Sequence, residues 1–389
     1  MEILLQEVIA EILPKAMALR WCVHENPELG NQEFETTNRL AQFFRAEGIP
    51  FCRFEKLTGG TVLIDAHAEK TVCFRADIDA LTITEQTGCL HASKREGTMH
   101  ACGHDMHLGI AAGLALVLYR LQAHLKYNVL ILFQPAEEQN PVGGARPVID
   151  TGIFKEYGVN GIYGLHLWPS LPVGTIGIKT GVQMGASDKF SIDLYGKSAH
   201  AAEPHKGVDA ISIGADLVNA LVHKLRREID PFETCLVTIG EIRSFGRYNI
   251  LCDHVLLEGT IRSTTDEART KIKNRIRELA EGIAHAYGGH AKVAITDGYG
   301  LVINHPEQTL DFIRAAKKTL GESRVLTDIS ISLIGEDFSR YAQVLPATYF
   351  FLGCESEYPL HSARFLPDER VLPTALRLMG AFLLNDKIS

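Results

Sequence analysis

A nine-residue stretch, MHACGHDMH at positions 99–107, concentrates side chains that can bind metal ions. Divalent metals bind thiolate, neutral imidazole and carboxylate groups. Cys102 and His104 are separated by a single glycine, so both side chains can face one point in a tight loop. A lone CGH sequence is equally consistent with a small buried thiol and with histidines that cap a helix. Candidates elsewhere in the chain favour the metal site.

A pair of adjacent carboxylates, Glu137 and Glu138, follows the apolar run NVLILF in the segment QPAEE. Pro135 cannot donate to a strand ladder, so neighbouring side chains after it need not point to opposite faces. One glutamate could then bind a metal ion while the other acts on water as a general base. The alternative is a solvated acidic pair in a loop. The apolar run that leads directly into the pair favours a site at the end of a strand.

Further candidates stand near the ends of other apolar runs. His166 lies in GIYGLHLWP, and His361 follows ATYFFLG after a short loop. Either histidine alone fits a structural role, and their shared position at strand ends favours metal binding. Asp79 closes the run TVCFRADID, where a carboxylate can orient a metal-binding histidine. Asp77, two residues earlier, fits a structural role equally well.

The elements that must position these residues follow from the hydrophobic pattern. In the first half of the chain, the apolar runs TVLID, TVCFRADID, NVLILFQPA and GIYGLHLWP are separated by helical segments such as GIAAGLALVLYRLQAHL. This pattern predicts an α/β fold with a sheet covered by helices on both faces. Ligand sites in such sheets lie at the carboxyl ends of the strands, which is where the polar clusters fall.

The pattern changes near residue 188. The order becomes strand, helix, two strands, helix and strand, which is the βαββαβ order of a compact α+β module with ferredoxin-like topology. After residue 300, strands and helices follow that could return to the first sheet. We therefore predict a discontinuous main domain of residues 1–187 and 300–389. A smaller inserted domain is predicted to span residues 188–299.

Length and composition exclude several classes of protein. A chain of 389 residues fits two domains. Its formal net charge of -8 gives no basic surface for nucleic acid, so we expect no nucleic-acid partner. The longest apolar runs are shorter than the roughly 20 residues of a membrane span, so we expect no membrane association. The N-terminus carries glutamates where a signal peptide carries lysines, and the eight cysteines form no CxxC pair, which favours a cytoplasmic location.

Seven motifs occur in one order over nearly the whole chain: RADIDAL, MHACGHDMH, QPAEE, GLHLW, GKSAHAAEPHKGVDA, GEDF and LHSARFLPDE. In these motifs the sequence resembles the amidohydrolases of the aminoacylase and carboxypeptidase G clan. The subfamily that it resembles most contains hippurate hydrolases, auxin-conjugate hydrolases and N-acetyldiaminopimelate deacetylases. The resemblance implies that residues 1–187 and 300–389 form a zinc-peptidase-like catalytic domain with a mixed sheet, which binds two divalent metal ions. It also implies that residues 188–299 form an inserted lid or dimerisation domain.

The resemblance also implies roles for individual residues. Cys102 would bridge the two metal ions, Glu137 would be the general base, and Asp79 would orient a ligand. Other members of the clan have a histidine where Asp77 stands, and in this sequence His104 takes its place as a ligand. The metal ligands besides the cysteine would be His104, Glu138, His166 and His361.

Three residues of the predicted lid also match family positions. His200, in GKSAHAAEPH, resembles the histidine that reaches a neighbouring subunit's site and stabilises the tetrahedral oxyanion. Asn249 and Arg262 match positions that hold substrate, and a guanidinium suits a carboxylate. A surface arginine on a strand is the alternative for Arg262. NILCD replaces the family's common NVIPD, and LHSARFLPDE lacks the usual proline after its histidine, so the preferred acyl group and amino acid stay open.

The predicted function is metal-dependent hydrolysis of the amide bond of N-acyl amino acids, chiefly N-acetyl ones, by a homodimer or homotetramer formed through the lid. Thiolate favours Zn²⁺, whereas mixed cysteine, histidine and carboxylate sites also use Mn²⁺, Co²⁺ or Ni²⁺. A dipeptidase or carboxypeptidase would use the same ligands. A catalytically silent metal or amino-acid binding protein is the other alternative, and Glu137 counts against it because binding alone needs no base. A serine hydrolase would need GxSxG, which the sequence lacks.

Overall fold

The computed structural model describes residues 1–384, and within them the chain forms two compact units. The larger unit contains Met1–Gln183, Val302–Ser330 and the described residues from Asp337 onward, and the smaller unit contains Met184–Leu301 and Ile331–Glu336. The larger unit is therefore discontinuous in sequence. The last five residues of the predicted range 300–389 lie outside the described part of the chain.

Both units contain strands and α-helices. In chain order, the strands are β1 (Cys52–Arg53), β2 (Gly60–Ile64), β3 (Thr71–Asp77), β4 (Asn128–Gln134), β5 (Val159–Trp168), β6 (Ile176–Gly177), β7 (Gly181–Met184), β8 (Ala186–Tyr195), β9 (Cys235–Ser244), β10 (His254–Ser263), β11 (His290–Thr296), β12 (Val302–Asn304), β13 (Val325–Leu326) and β14 (Ala347–Gly353). The α-helices are α1 (Glu2–His24), α2 (Phe34–Ala46), α3 (His104–Arg120), α4 (Ala145–Asp150), α5 (Ile153–Glu156), α6 (Ala210–Asn219), α7 (Asp266–Ala286), α8 (Pro306–Leu320) and α9 (Val371–Leu383).

An eight-stranded sheet forms the centre of the larger unit, in the order β1-β2-β4-β3-β5-β14-β6-β13. Strands β3, β4, β5 and β14 run parallel to one another, whereas β2 is antiparallel to β4 and β6 is antiparallel to β14. Every residue of β3 and of β14 is buried, as expected for strands covered on both faces. The sheet is mixed, and β14 brings the end of the chain back to it, which confirms the predicted α/β class.

Helix α3 begins within the motif MHACGHDMH and lies in the interior of the larger unit. Residues 104–118 of this helix are all buried. A helix that is apolar on every side packs inside the protein, and α3 contacts α1 and α9 as well as β3 and β4. Its first turn lies close to the end of β3, because Nδ1 of His104 is 3.0 Å from the carbonyl oxygen of Asp79. None of the helices within residues 1–384 combines the length and the apolar composition that crossing a lipid bilayer requires.

The smaller unit contains an antiparallel sheet in the order β11-β8-β10-β9, with α6 and α7 packed against it. Successive residues of β10 alternate between half-buried and buried, so one face of the sheet packs on the helices. Asp209 caps α6 by accepting hydrogen bonds from the N–H groups of Ile211 and Ser212. The predicted order of strand, helix, two strands, helix and strand is present, which confirms the inserted α+β module. Its roles as a lid and in dimerisation stay predictions.

Candidate metal centre

The carboxyl ends of three neighbouring strands carry several of the predicted site residues. Asp79 follows β3, Glu137 and Glu138 follow β4, and His166 lies near the end of β5. Strand β3 pairs in parallel with both β4 and β5. Because these strands run in the same direction, their carboxyl ends meet at one edge of the sheet. The structure therefore brings these side chains together.

Cys102 and His104 reach the same edge through the turn that precedes α3. Gly103, between them, has a left-handed φ of +85°, and a Cβ at this position would lie 2.6 Å from a side-chain atom of β5. Glycine fits such a position, and the turn lets both neighbouring side chains face the strand ends. The loop after β14 joins the cluster because the N–H of His361 donates to the carbonyl oxygen of Ala101 at 2.9 Å.

The five predicted metal ligands form two groups that share Cys102. The Sγ atom of Cys102 lies 3.4 Å from Nε2 of His166 and 3.3 Å from Nε2 of His361. Nε2 of His361 is 3.2 Å from Oε1 of Glu138. The ligand atoms of Cys102, His104 and His166 lie within 4.8 Å of one another, and so do those of Cys102, Glu138 and His361. The arrangement offers two groups of three ligands with one thiol in common.

Oxygen atoms orient the imidazole rings of two of these histidines. Nδ1 of His104 lies 3.0 Å from the carbonyl oxygen and 3.2 Å from Oδ1 of Asp79, and Nδ1 of His166 lies 2.8 Å from the carbonyl oxygen of Leu167. Since a carbonyl oxygen only accepts, Nδ1 is the donor in both rings and Nε2 is left as the metal-binding atom. Nε2 of His104 is buried and has no hydrogen-bond partner among residues 1–384, which fits a metal ion as its partner.

Negative charge dominates the cluster. Burial lowers the pKa of His104, but the carboxylates of Asp77, Asp79 and Glu138 outweigh burial and raise the pKa to about 10. Burial, and after it the neighbouring carboxylates, raise the pKa of the Cys102 thiol well above its usual range. Divalent cations are attracted by the same carboxylates and allow a thiol to ionise. The donor atoms and the charge therefore fit two divalent metal ions.

Glu137 lies beside the ligands, although neither group of three needs it. One of its carboxylate oxygens and the ligand atoms of His104 and Glu138 lie within 4.8 Å of one another. The residue is 5% exposed, and Oε1 accepts the N–H of Asp337 at 3.4 Å. The side chain of His361 is half-exposed, so the cluster is open to solvent on that side. A buried carboxylate in this position can accept a proton from water.

A buried network of hydrogen bonds supports the ligands. Asp77, for which the sequence left a structural role open, accepts hydrogen bonds from Nδ1 of His107 and from Nη1 of Arg75, both at 2.6 Å. Nε2 of His107 accepts the N–H of Leu167 at 3.1 Å, and Nη2 of Arg75 donates to Asp337 at 2.7 Å. Asp337 lies in the GEDF motif, whereas Arg75 was not predicted from the sequence as a site residue. A single arginine inside an apolar strand was the available signal, because a buried charge requires a partner.

The three predicted substrate contacts lie in the smaller unit. His200 and Asn249 have exposed side chains, and the carbonyl oxygen of Asn249 accepts the N–H of Ala201 at 3.1 Å. Arg262, on β10, is half-buried and donates from Nη1 to the carbonyl oxygen of Leu333 at 3.3 Å. These contacts lie within the smaller unit. The roles predicted for the three side chains stay predictions.

A separate group of potential metal ligands contains His24, Glu85 and Cys89. Nδ1 of His24 lies 2.9 Å from Asp105, and Nε2 lies 3.3 Å from Glu85. Burial lowers the pKa of His24, but Asp105 and Glu85 outweigh burial and raise it to about 9. At neutral pH the imidazole therefore holds two protons and pairs with both carboxylates. We interpret this group as a buried ion pair.

Comparison with known proteins assigns the chain to a family. The model of peptidase family M20/M25/M40 matches residues 73–385. The chain belongs to this family. N-acetyldiaminopimelate deacetylase of Priestia megaterium is 37% identical over 369 residues, which cover 92% of this chain and 95% of the relative. Thermostable carboxypeptidase 1 of Saccharolobus solfataricus is 35% identical over 376 residues, which cover 95% of this chain and 94% of the relative.

A solved structure shares both the fold and the sequence pattern. The YXEP protein of Bacillus subtilis, a dinuclear metal binding peptidase from the M20 family, superposes with a TM-score of 0.84 at 32% identity, covering 96% of this chain and 98% of that one. Family and relatives confirm the resemblance seen in the motifs and identify the chain as a metal-dependent amidohydrolase. The names of the relatives differ in substrate, so family membership alone does not select one.

Proposed function

We propose that the enzyme hydrolyses the amide bond of N-acyl amino acids, with N-acetyl amino acids as the preferred class, and releases a free amino acid and a carboxylate. The observation that carries this proposal is the buried Glu137 beside two groups of metal ligands that share Cys102. Metal binding alone needs no such base. Relatives named N-acetyldiaminopimelate deacetylase, at 36% and 37% identity, support an acetyl group and an amino acid as the two parts of the substrate.

Each group of ligands would hold one divalent metal ion. Cys102, His104 and His166 form the first group, and Cys102, Glu138 and His361 form the second. The thiolate favours Zn²⁺, and the mixed donor set also suits Mn²⁺, Co²⁺ or Ni²⁺. When bound, two such ions supply Lewis acidity, which polarises an amide carbonyl and lowers the pKa of water.

Side chains of the larger unit would position the ligands and transfer the protons. Glu137 takes a proton from the attacking water and later gives a proton to the departing amine, so one carboxylate acts first as a base and then as an acid. Asp79 accepts the Nδ1–H of His104 and, through Oδ2, the N–H of Glu138 at 2.9 Å. Asp79 thereby keeps both ligands oriented towards the site.

The smaller unit would supply the contacts to the substrate. His200 stabilises the oxyanion in the site of a neighbouring subunit, and Asn249 and Arg262 hold the amino acid part of the substrate. These roles require a homodimer or homotetramer that forms through the smaller unit. The eight cysteines, all of them free thiols in the structure, support the cytoplasm as the location of the enzyme.

A dipeptidase or carboxypeptidase is the second candidate. The relative named thermostable carboxypeptidase 1, which is 35% identical over most of the chain, favours it. Such an enzyme uses the same ligands and the same base. It differs only in the group on the acyl side of the scissile carbonyl, so the preferred substrate separates the two candidates.

Release of amino acids from a panel of substrates tests the proposal. The panel contains N-acetyl amino acids, N-acetyldiaminopimelate, hippurate and several dipeptides, each with protein loaded with Zn²⁺ or Mn²⁺. We expect N-acetyl amino acids to have a kcat/KM at least about tenfold above that of the dipeptides. Faster turnover of the dipeptides would favour the second candidate. If the metal-loaded protein hydrolyses no N-acyl amino acid, the proposal fails.

A further inference from the structure

The turn that carries the proposed base has a strained backbone. Ala136, which directly precedes Glu137, has a left-handed φ of +58°. Residues with a Cβ rarely adopt this conformation, because the Cβ approaches the following carbonyl oxygen. Such a conformation persists only where surrounding contacts hold it, and it is found preferentially at functional sites. The contacts of Ala136 therefore determine the direction of Glu137.

Glu33 makes the contact that holds this turn. Its side chain is buried, and Oε1 accepts the N–H of Ala136 at 2.8 Å. Oε2 accepts the hydroxyl of Thr58 at 2.6 Å, which fixes the orientation of the carboxylate. Strand β4 ends at Gln134 and Pro135 has no N–H, so the N–H of Ala136 is the first backbone donor beyond the strand. Glu33 satisfies this buried donor at the point where the backbone becomes left-handed.

The segment that contains Glu33 also packs closely against the same turn. A Cβ on Gly30 would lie 3.0 Å from Cα of Ala136, so only a residue without a side chain fits there. The backbone carbonyl of Glu28 accepts the N–H of Ala80 at 2.8 Å, in the loop after β3. This segment therefore contacts both the turn after β4 and the loop that carries the orienting aspartate.

A carboxyl group in this position carries an energetic cost. Burial, and then the nearby Asp79, raise the pKa of Glu33 from 4.5 to about 7. A glutamine would fill a similar volume without the cost of burying a charge. A carboxylate, however, offers acceptor oxygens to both donors, the N–H of Ala136 and the hydroxyl of Thr58. This pair of acceptors is the physical reason for an acid at position 33.

We propose that Glu33 is a positioning residue for the reaction: by accepting the N–H of Ala136, it holds the left-handed turn that directs Glu137 towards the two groups of metal ligands. The inference rests on the proposed function, because it takes Glu137 as the general base. Glu33 acts through the backbone of the turn and takes no part in the proton transfer itself.

Kinetics of substituted proteins test this role. For Zn²⁺-loaded Glu33→Ala, we expect kcat on an N-acetyl amino acid to fall about 10- to 100-fold, with KM and metal content unchanged. Glu33→Gln retains an oxygen that accepts the N–H of Ala136, so it keeps most of the wild-type kcat. Glu28→Ala is the matched control, because this buried carboxylate bonds Thr36 of α2 instead. It should lower thermal stability and leave kcat within about twofold of wild type.

A second substitution, Ala136→Gly, shows whether Glu33→Ala lowers kcat through the turn or through a general loss of stability. Glycine adopts a left-handed φ without steric cost, so Ala136→Gly can form the turn without help from Glu33. In the Glu33→Ala protein, we expect the added Ala136→Gly to raise kcat about tenfold. A double variant no faster than Glu33→Ala, or a Glu33→Ala protein with wild-type kcat, would overturn the proposal.

Amide hydrogen exchange gives a readout that does not depend on turnover. We expect the peptide that contains Ala136 to exchange at least about tenfold faster in Glu33→Ala than in wild type, and at the wild-type rate in Glu33→Gln and Glu28→Ala. Equal exchange in wild type and Glu33→Ala would show that Glu33 does not hold the N–H of Ala136, and would overturn the proposal. Faster exchange in Glu33→Ala, together with a wild type that hydrolyses no N-acyl amino acid, would instead show that the proposed function has failed. The role of Glu33 in positioning a general base would then fail with it.

Discussion

Among single residues, Cys102 connects the two groups of ligands. Its sulfur lies 3.4 Å from Nε2 of His166 and 3.3 Å from Nε2 of His361, and each histidine belongs to a different group. Burial and the neighbouring carboxylates hold the pKa of its thiol well above the usual range, so the thiolate form depends on bound cations. Both groups lose a member when this one side chain is replaced.

Replacing Cys102 should therefore affect both metal ions. We expect Cys102→Ala to retain about one metal ion or fewer per chain and to lose turnover at least about 100-fold. Cys73→Ala removes another fully buried thiol, from β3, and should keep both ions and most of the turnover. Elemental mass spectrometry of desalted protein measures the metal content. Two ions per chain in Cys102→Ala would contradict a shared ligand.

The sequence predicted the candidate ligands because each belongs to a motif at a strand or helix end, as Glu138 does after β4. It did not predict Glu33, because the hydrogen bond from Ala136 to Glu33 joins positions 103 residues apart and leaves no local pattern. Arg75 was visible as a charge in an apolar strand, but its partner Asp337 lies 262 residues away. Contacts of this kind are determined by the fold.

Among the secondary-structure elements, helix α1 is attached to the first turn of α3, which carries a predicted ligand. Nε of Arg20 and Nδ1 of His24, both in α1, lie 2.6 Å and 2.9 Å from Oδ2 of Asp105. All three side chains are buried. Asp105 directly follows His104 in the first turn of α3, where a negative charge also interacts favourably with the helix dipole. The contact therefore fixes the end of the helix that carries a ligand.

This contact makes the stability of the fold depend on pH. Burial lowers the pKa of His24, Asp105 and Glu85 raise it, and the result is a pKa of about 9 in place of 6.5. Because the pKa is higher in the folded chain, protonated His24 contributes its full stabilisation below pH 6.5. That contribution is lost as the pH rises through about 9.

The free energy of unfolding in denaturant, measured at about pH 6 and about pH 10, checks this dependence. Between these two values we expect wild type to lose up to about 3 kcal/mol more than His24→Asn does. His67→Asn, in which the replaced side chain is 89% exposed, should behave like wild type. If wild type and His24→Asn differ by the same amount at both pH values, His24 is not the group responsible.

The hydrophobic pattern predicted the long elements and missed the shortest ones. Runs such as NVLILFQ and ATYFFLG form β4 and β14, because consecutive buried residues indicate strands covered on both faces. Strands β6 and β13 have two residues each, too few to show any period. The structure identifies them as strands by their hydrogen bonds to neighbouring strands, since β6 lies between β14 and β13 in the sheet.

In the molecule as a whole, each unit has its own hydrophobic core. The larger core contains parallel strands with continuous apolar runs, whereas the smaller contains antiparallel strands that alternate. The sequence predicted the inserted module from a different signal, the change in the order of strands and helices near residue 188. The segment Ile331–Glu336 also belongs to the smaller unit, although nothing in its pattern indicated it, because so short a segment shows no period.

Removing metal should destabilise the larger unit. Asp77, Asp79 and Glu137 are buried within it, and bound cations offset the repulsion between such carboxylates. We expect a chelator to lower the midpoint of thermal unfolding and Zn²⁺ to restore it, since a ligand of the folded state alone contributes about 2.7 kcal/mol at a hundredfold excess over Kd. Cys102→Ala should respond less. An unchanged midpoint for chelated wild type would argue against a metal site at this edge of the sheet.

Turnover and metal content of Glu137→Gln, measured on one sample, show whether Glu137 is the base and not a ligand. If it is the base, the variant keeps two metal ions per chain while kcat on an N-acetyl amino acid falls about 10²- to 10⁴-fold. Glu69→Gln, at an exposed glutamate, controls for the loss of a charge and should match wild type. A Glu137→Gln protein with two ions and wild-type turnover would contradict the assignment of Glu137 as the general base.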